Sequence, residues 1–79
     1  MKIGVKLPDL GEDAERIATV AYWVVEEGEA VEEGDDLVEL TTDKAAFNLP
    51  SPRSGVLVEK LVVEGDEVSV GDALCILEV

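Results

Sequence analysis

Few side chains in this sequence can do covalent or acid–base chemistry. There is no histidine, so the commonest general base and metal ligand is missing. The single cysteine, Cys75, cannot form an internal disulfide. Its neighbours Leu74, Ile76 and Leu77 mark it as a buried core thiol. A thiolate zinc site needs several Cys or His ligands, and the carboxylates show no EF-hand spacing. Without His or a second Cys, no nucleophile–base pair of the usual kind can be assembled, which argues against a free-standing enzyme. Four lysines remain, Lys2, Lys6, Lys44 and Lys60. A lysine carries a nucleophilic amine, once deprotonated, on a long flexible stem. Lys44 stands apart by its setting, Thr42-Asp43-Lys44-Ala45.

Whatever positions that lysine must be small. The 79 residues allow one domain, residues 1–79, with no room for a large internal cavity. An apolar content of 47% suits a folded globule. Six Lys+Arg against 19 Asp+Glu leave a net charge of −13. Such a surface repels nucleic-acid phosphates and anionic lipid, so neither is an expected partner, and it favours basic protein surfaces. No run of about 20 apolar residues is present for a membrane-spanning helix. The segment Met1 to Lys6 has no signal-peptide core, which makes the cytoplasm the default expectation.

The periodicity is that of strands. Ile3, Val5 and Leu7 alternate with Lys2, Gly4 and Lys6. Residues 8–13 read as a loop. The β-branched and aromatic run 17–25 reads as the next strand, in preference to a weak helix over 13–21. Turns follow at Gly28 and Gly34. Further strands are expected over 37–42, 45–49, 56–63 and 73–79, with Pro50-Ser51-Pro52 ending the one before it.

An internal repeat organises these pieces. Residues 25–37 match 62–74 at a constant offset of 37, pairing Val25/Val62, Gly28/Gly65, Val31/Val68, Gly34/Gly71, Asp35/Asp72 and Leu37/Leu74. Matching turn glycines imply one backbone demand, a positive φ, made twice. Neither half can bury its apolar face alone. The expectation is an all-β flattened barrel or sandwich of two roughly four-stranded sheets with pseudo-two-fold symmetry, a barrel-sandwich hybrid. The repeat also exposes an asymmetry. After Leu40 the chain continues into the Asp43-Lys44 turn, whereas after Leu77 it stops. The turn should therefore protrude at the pole opposite the chain ends.

Thr42-Asp43-Lys44-Ala45, followed by Leu49-Pro50-Ser51-Pro52-Arg53-Ser54-Gly55, resembles the lipoylation hairpin of the lipoyl domains of 2-oxo acid dehydrogenase acyltransferases. Leu7-Pro8-Asp9-Leu10-Gly11-Glu12 and Tyr22-Trp23-Val24-Val25-Glu26-Glu27-Gly28 are similar to their opening segments. The resemblance implies that Lys44 carries lipoic acid in amide linkage. It implies a lipoate ligase or lipoyl transferase to attach it. It also implies three enzymes that the arm visits: a thiamine-diphosphate-dependent decarboxylase, an acyltransferase core and a flavin-dependent dihydrolipoyl dehydrogenase. It assigns Thr42, Asp43 and Ala45 to partner recognition, with the loop 10–16 as a decarboxylase contact. The chain itself would be a carrier, the front segment of a dihydrolipoyl acyltransferase, while the cofactor supplies the organic chemistry.

Two departures from the family stand out, Asn48 in place of the common glutamate and the segment 13–16. Three other readings compete. A biotin carrier shares the fold but is expected to have methionine on both sides of its lysine. A phosphopantetheine carrier needs a serine at a helix start, which Ser51, Ser54 and Ser69 do not offer. An unmodified acidic interaction module of the same fold would lack the hairpin lysine. Trp23, Tyr22 and Phe47 are expected to pack in the core or at its edge.

Overall fold

The computed structural model describes residues 1–9 and 16–79. Among these, eight strands form: β1 (Lys2–Lys6), β2 (Ile17–Trp23), β3 (Ala30–Val31), β4 (Asp36–Thr41), β5 (Ala46–Pro50), β6 (Gly55–Lys60), β7 (Glu67–Ser69) and β8 (Ala73–Glu78). They make two antiparallel four-stranded sheets, ordered β1-β8-β6-β3 and β5-β4-β2-β7. The architecture is the expected sandwich.

The pseudo-symmetry extends to single residues. Residues 18–23, 30–31 and 36–41 map onto 55–60, 67–68 and 73–78 at the offset of 37, while β1 maps onto β5 at an offset of 44. The connection after β1 is therefore seven residues longer, 44 − 37. Each sheet draws two strands from each half of the chain. The halves are interleaved rather than stacked, which is how each covers the other's apolar face.

Symmetry also orders the core. Buried pairs related by it include Val20 and Leu57, Val31 and Val68, Leu37 and Leu74, and Leu40 and Leu77. Cys75 takes the place of Val38, and both are 0% exposed. A small apolar side chain is what this position demands, so the thiol is a core residue. Burial pushes its pKa up to about 11.

Bulges set the phase of the inner strands. β2 slips against β4 between Val20 and Tyr22, and β6 slips against β8 between Leu57 and Glu59. One extra residue reverses which side chains point inward. Trp23 is thereby half-buried against the core, and Tyr22 is exposed. Trp23 donates from Nε1 to the Val62 carbonyl at 3.1 Å, and Lys60 Nζ lies 5.3 Å from its ring centre. Phe47 also packs against the core from its rim.

Several boundaries differ from the sequence reading. β2 stops at Trp23, because Val24 leaves the strand to bond the Leu37 carbonyl at 2.9 Å, and β6 stops at Lys60 with Leu61 bonding Leu74 in the same way. The short strands β3 and β7 lie inside segments that read only as turns. Pro50 does not end β5 from outside but is its last residue, opposite Asp36. It is tolerated because β5 is an edge strand and no partner needs the missing N–H.

The four turns that carry the repeat share one design. Gly28, Gly34, Gly65 and Gly71 have φ of 92° or 93°, as expected for matched turn glycines. The acid after each glycine folds back onto the turn. Glu29, Asp35, Asp66 and Asp72 accept through their carboxylates from the backbone N–H groups of Glu26, Glu32, Val63 and Ser69 at 2.8–3.1 Å. The turns then bond the facing strands. Gly28 N–H donates to the Leu57 carbonyl and Gly65 N–H to the Val20 carbonyl, at 2.7 and 2.8 Å.

An added Cβ at Gly65 meets nothing within 4 Å, so Gly65→Ala costs backbone strain alone. It should destabilise the fold by about 1–2 kcal/mol in urea titration. Cys75 should resist alkylation in the native state and react on unfolding. Its native pKa of about 11 lies above the ordinary thiol value of 9.0. The unfolded chain therefore loses the proton first as pH rises, and stability should fall above about pH 9 and recover in Cys75→Val.

Candidate functional site

Lys44 sits in the four-residue connection 42–45 between β4 and β5, with its side chain exposed. Both supporting strands are anchored close to the turn. Leu40 on β4 and Leu49 on β5 are buried, and Phe47, the cross-strand partner of Leu40, packs against the core. A flexible stem thus springs from a rigid base.

The turn has its own chemistry. Two-residue hairpin loops favour backbone conformations with positive φ, which is why Asn-Gly is common there. Asp43 and Lys44 have no positive φ. Thr42 compensates. Its N–H donates to the Ala45 carbonyl at 2.8 Å, and its hydroxyl accepts from the N–H groups of Lys44 and Ala45 at 3.3 Å each. The same hydroxyl can donate to the Ala45 carbonyl at 3.3 Å. The side chain does what a glycine-containing backbone would otherwise do.

Symmetry places this turn. The pair Thr41–Ala46 closing it corresponds to Glu78–Lys2 in the other sheet. The bond from Thr42 N–H to Ala45 corresponds to that from Val79 N–H to Met1, both 2.8 Å. The hairpin and the chain ends are thus counterparts on opposite sides of the pseudo-axis.

Lys44 makes no ion pair among the described residues, whereas Lys60 binds Glu26 at 3.0 Å. Lys60 is also half-buried over Trp23, so it is a structural lysine. Asp43 and Ala45 flank Lys44 and are exposed. Of the loop 10–16, only Arg16 lies within the described residues. Its carbonyl accepts from Val70 N–H at 3.0 Å.

The Asn48 departure has a local reason. Its amide donates to Asp36 at 3.0 Å, and it faces Glu39 across the sheet. A glutamate there would meet two carboxylates. The serines are structural: Ser51 is buried and donates to the Arg53 carbonyl at 2.7 Å, and Ser54 accepts from Glu33 N–H at 3.0 Å.

The structure adds residues that sequence reasoning missed. Ile17, Thr19, Thr41 and Glu67 join Thr42 and Asp43 around a shallow recess of about 160 Å³ beside the turn. No sequence signal marks them, because they meet only through the β4-β2-β7 pairing. A larger apolar cleft of about 400 Å³ lies between β1 and β5, lined by residues including Val5, Pro8, Leu49 and Pro52, away from Lys44.

Thr42→Val should leave the core intact and free the amides of Lys44 and Ala45. Their hydrogen exchange should quicken while that of Leu40 stays protected, and Thr42→Ser should restore the slower rate.

Comparison with known proteins agrees with this geometry. The Biotin_lipoyl family model, described as "Biotin-requiring enzyme", matches residues 3–79. The solution structure of the lipoyl domain of the 2-oxoglutarate dehydrogenase complex from Azotobacter vinelandii superposes with a TM-score of 0.76 at 34% identity, covering 98% of this chain and 96% of that one. A dihydrolipoyllysine-residue succinyltransferase component of the 2-oxoglutarate dehydrogenase complex from Staphylococcus saprophyticus is 41% identical over 73 residues, 92% of this chain. A dihydrolipoyllysine-residue acetyltransferase component of the pyruvate dehydrogenase complex from Corynebacterium glutamicum is 36% identical over 77 residues, 98% of this chain. The chain spans only 17% and 11% of the length of these two relatives. On the match to residues 3–79 and the near-complete superposition, the chain belongs to the biotin/lipoyl family and is a lipoyl-type domain.

Proposed function

We propose that Lys44 is the attachment site for lipoic acid and that the domain is an acyl carrier within a 2-oxo acid dehydrogenase complex. One observation carries the reading. The lysine is exposed and, among the described residues, free of ion pairs, at the tip of a turn whose two strands are tied to the core. When bound, the group supplies a redox-active disulfide that takes up and releases acyl groups and electrons. This chain's residues present it. Thr42 holds the turn, Leu40 and Leu49 fix its strands, and the lysine stem adds reach without a pocket. No acid or base is required of the domain, because the enzymes it visits bring their own.

The residues fit the group. Asp43 and Ala45 differ from the methionine pair expected beside a biotinyl lysine. The similarity to acyltransferase components points the same way, without favouring the acetyl or the succinyl type. The partners on this reading are the attaching ligase or transferase, the thiamine-diphosphate-dependent decarboxylase, the acyltransferase core and the flavin-dependent dehydrogenase. Thr42, Asp43 and Ala45 are the contacts such partners meet first.

Incubation with lipoate, ATP and a lipoate–protein ligase should add one lipoyl group, read by intact mass and mapped to Lys44. Lys44→Ala should add none. Uptake of biotin from a biotin ligase in its place would keep the fold and overturn the cofactor. A folded sample that takes neither would leave an acidic interaction module.

A further inference from the structure

We propose that the recess beside the hairpin receives a basic side chain, best an arginine, of the ligase that modifies Lys44. This rests on the carrier reading and names how the site is recognised.

The recess is built across three strands. Thr41 on β4, Thr19 on β2 and Glu67 on β7 are direct cross-strand partners, Thr41 opposite Thr19 and Thr19 opposite Glu67. Their inward neighbours Leu40, Ala18 and Val68 are buried, so this row lies on the outer face of the sheet. Partners in such a row stand about 5 Å apart at Cβ. Thr42 and Asp43 close the row at the hairpin end, and Ile17 borders the recess.

Three features give the recess its chemistry. The side chains of Thr19, Thr41, Asp43 and Glu67 have no hydrogen-bond or ion-pair partner within the described residues. Two hydroxyls and two carboxylates therefore open onto one hollow as free acceptors. A guanidinium offers five donors in a planar fork and suits several acceptors at once better than a point charge does. The net charge of −13 draws a basic surface toward the domain but does not say where it settles.

The pseudo-symmetry argues that the scaffold does not require these residues. Their counterparts in the other sheet form the row Glu78–Val56–Ala30. The core pairs keep their apolar character across the repeat, yet this outer row does not keep its hydroxyls. The counterpart row has one acid, Glu78, and no hydroxyl, whereas the row beside Lys44 joins two threonines to Glu67. The ligase must also separate Lys44 from Lys2, Lys6 and Lys60, and a recess flanked by the two residues before Lys44 is a fixed reference for doing so.

The test measures ligase kinetics on the domain and its variants, with lipoate, ATP and a lipoate–protein ligase. Glu67→Lys should raise KM about tenfold or more with kcat little changed, as expected for lost uniform binding. Thr19→Val and Glu67→Gln should raise it by smaller factors without altering charge sign. Glu59→Lys, an exposed acid on β6 in the other sheet, makes the same change in net charge and should have little effect. Circular dichroism and thermal melting report folding, and Glu67→Gln serves if Glu67→Lys does not fold. Equal effects of Glu67→Lys and Glu59→Lys would overturn the recess in favour of general attraction. Unchanged kinetics in Glu67→Lys and Thr19→Val would overturn it outright. Failure of the unaltered domain to accept lipoate would instead overturn the carrier reading.

Discussion

Burial of β4 and β8 in one shared core is the constraint on which the rest depends. Leu37 and Leu40 from one half and Leu74 and Leu77 from the other belong to a single cluster, each fully buried. In a chain of 79 residues the margin of stability is thin, and losing one such side chain to alanine costs about 2–5 kcal/mol. Interleaving the strands lets two short repeats make one core, and it ties the hairpin bearing Lys44 to residues from both ends of the chain.

The turns make that interleaving possible. Each has a glycine at φ near 92° and an acid that caps its own turn. A charge of −13 reads at first as a solubility device or a docking field. At least four of the acids, Glu29, Asp35, Asp66 and Asp72, also have a structural duty. Charge-assisted bonds to backbone N–H groups are stronger than neutral ones, and they hold the turns where the facing strands need them. The same residues add to the negative field that favours basic partners.

Symmetry explains where the Lys44 turn is placed. At one side of the pseudo-axis the chain ends pair with each other, and at the other the equivalent strands are joined by Thr42 to Ala45. A connection is needed there on geometric grounds. Thr42 makes it tight without glycine, and Lys44 uses the exposed position that results. The scaffold demands a turn but not a lysine. That is why the lysine and the hydroxyl row beside it depart from the repeat, while the core does not.

Much of this was legible in the letters. Period-two alternation gave most of the strands. The offset of 37 gave the two-fold sandwich and the turn glycines, and both are local or pairwise properties of the sequence. The setting of Lys44 between two matched repeats singled it out, and its resemblance to lipoylation hairpins named the chemistry. What the sequence could not reveal depends on which strands become neighbours. β3 and β7 are two and three residues long and exist only because β6 and β2 accept them. Pro50 enters β5 because that strand lies at an edge. Trp23 turns inward and Tyr22 outward because of a bulge that no composition signals. Thr19, Thr41 and Glu67 are separated by up to 48 residues and meet only through sheet pairing. Local pattern determined the elements and the exposed hairpin lysine, whereas long-range hydrogen-bond register, a property of the folded sheet alone, decided what surrounds it.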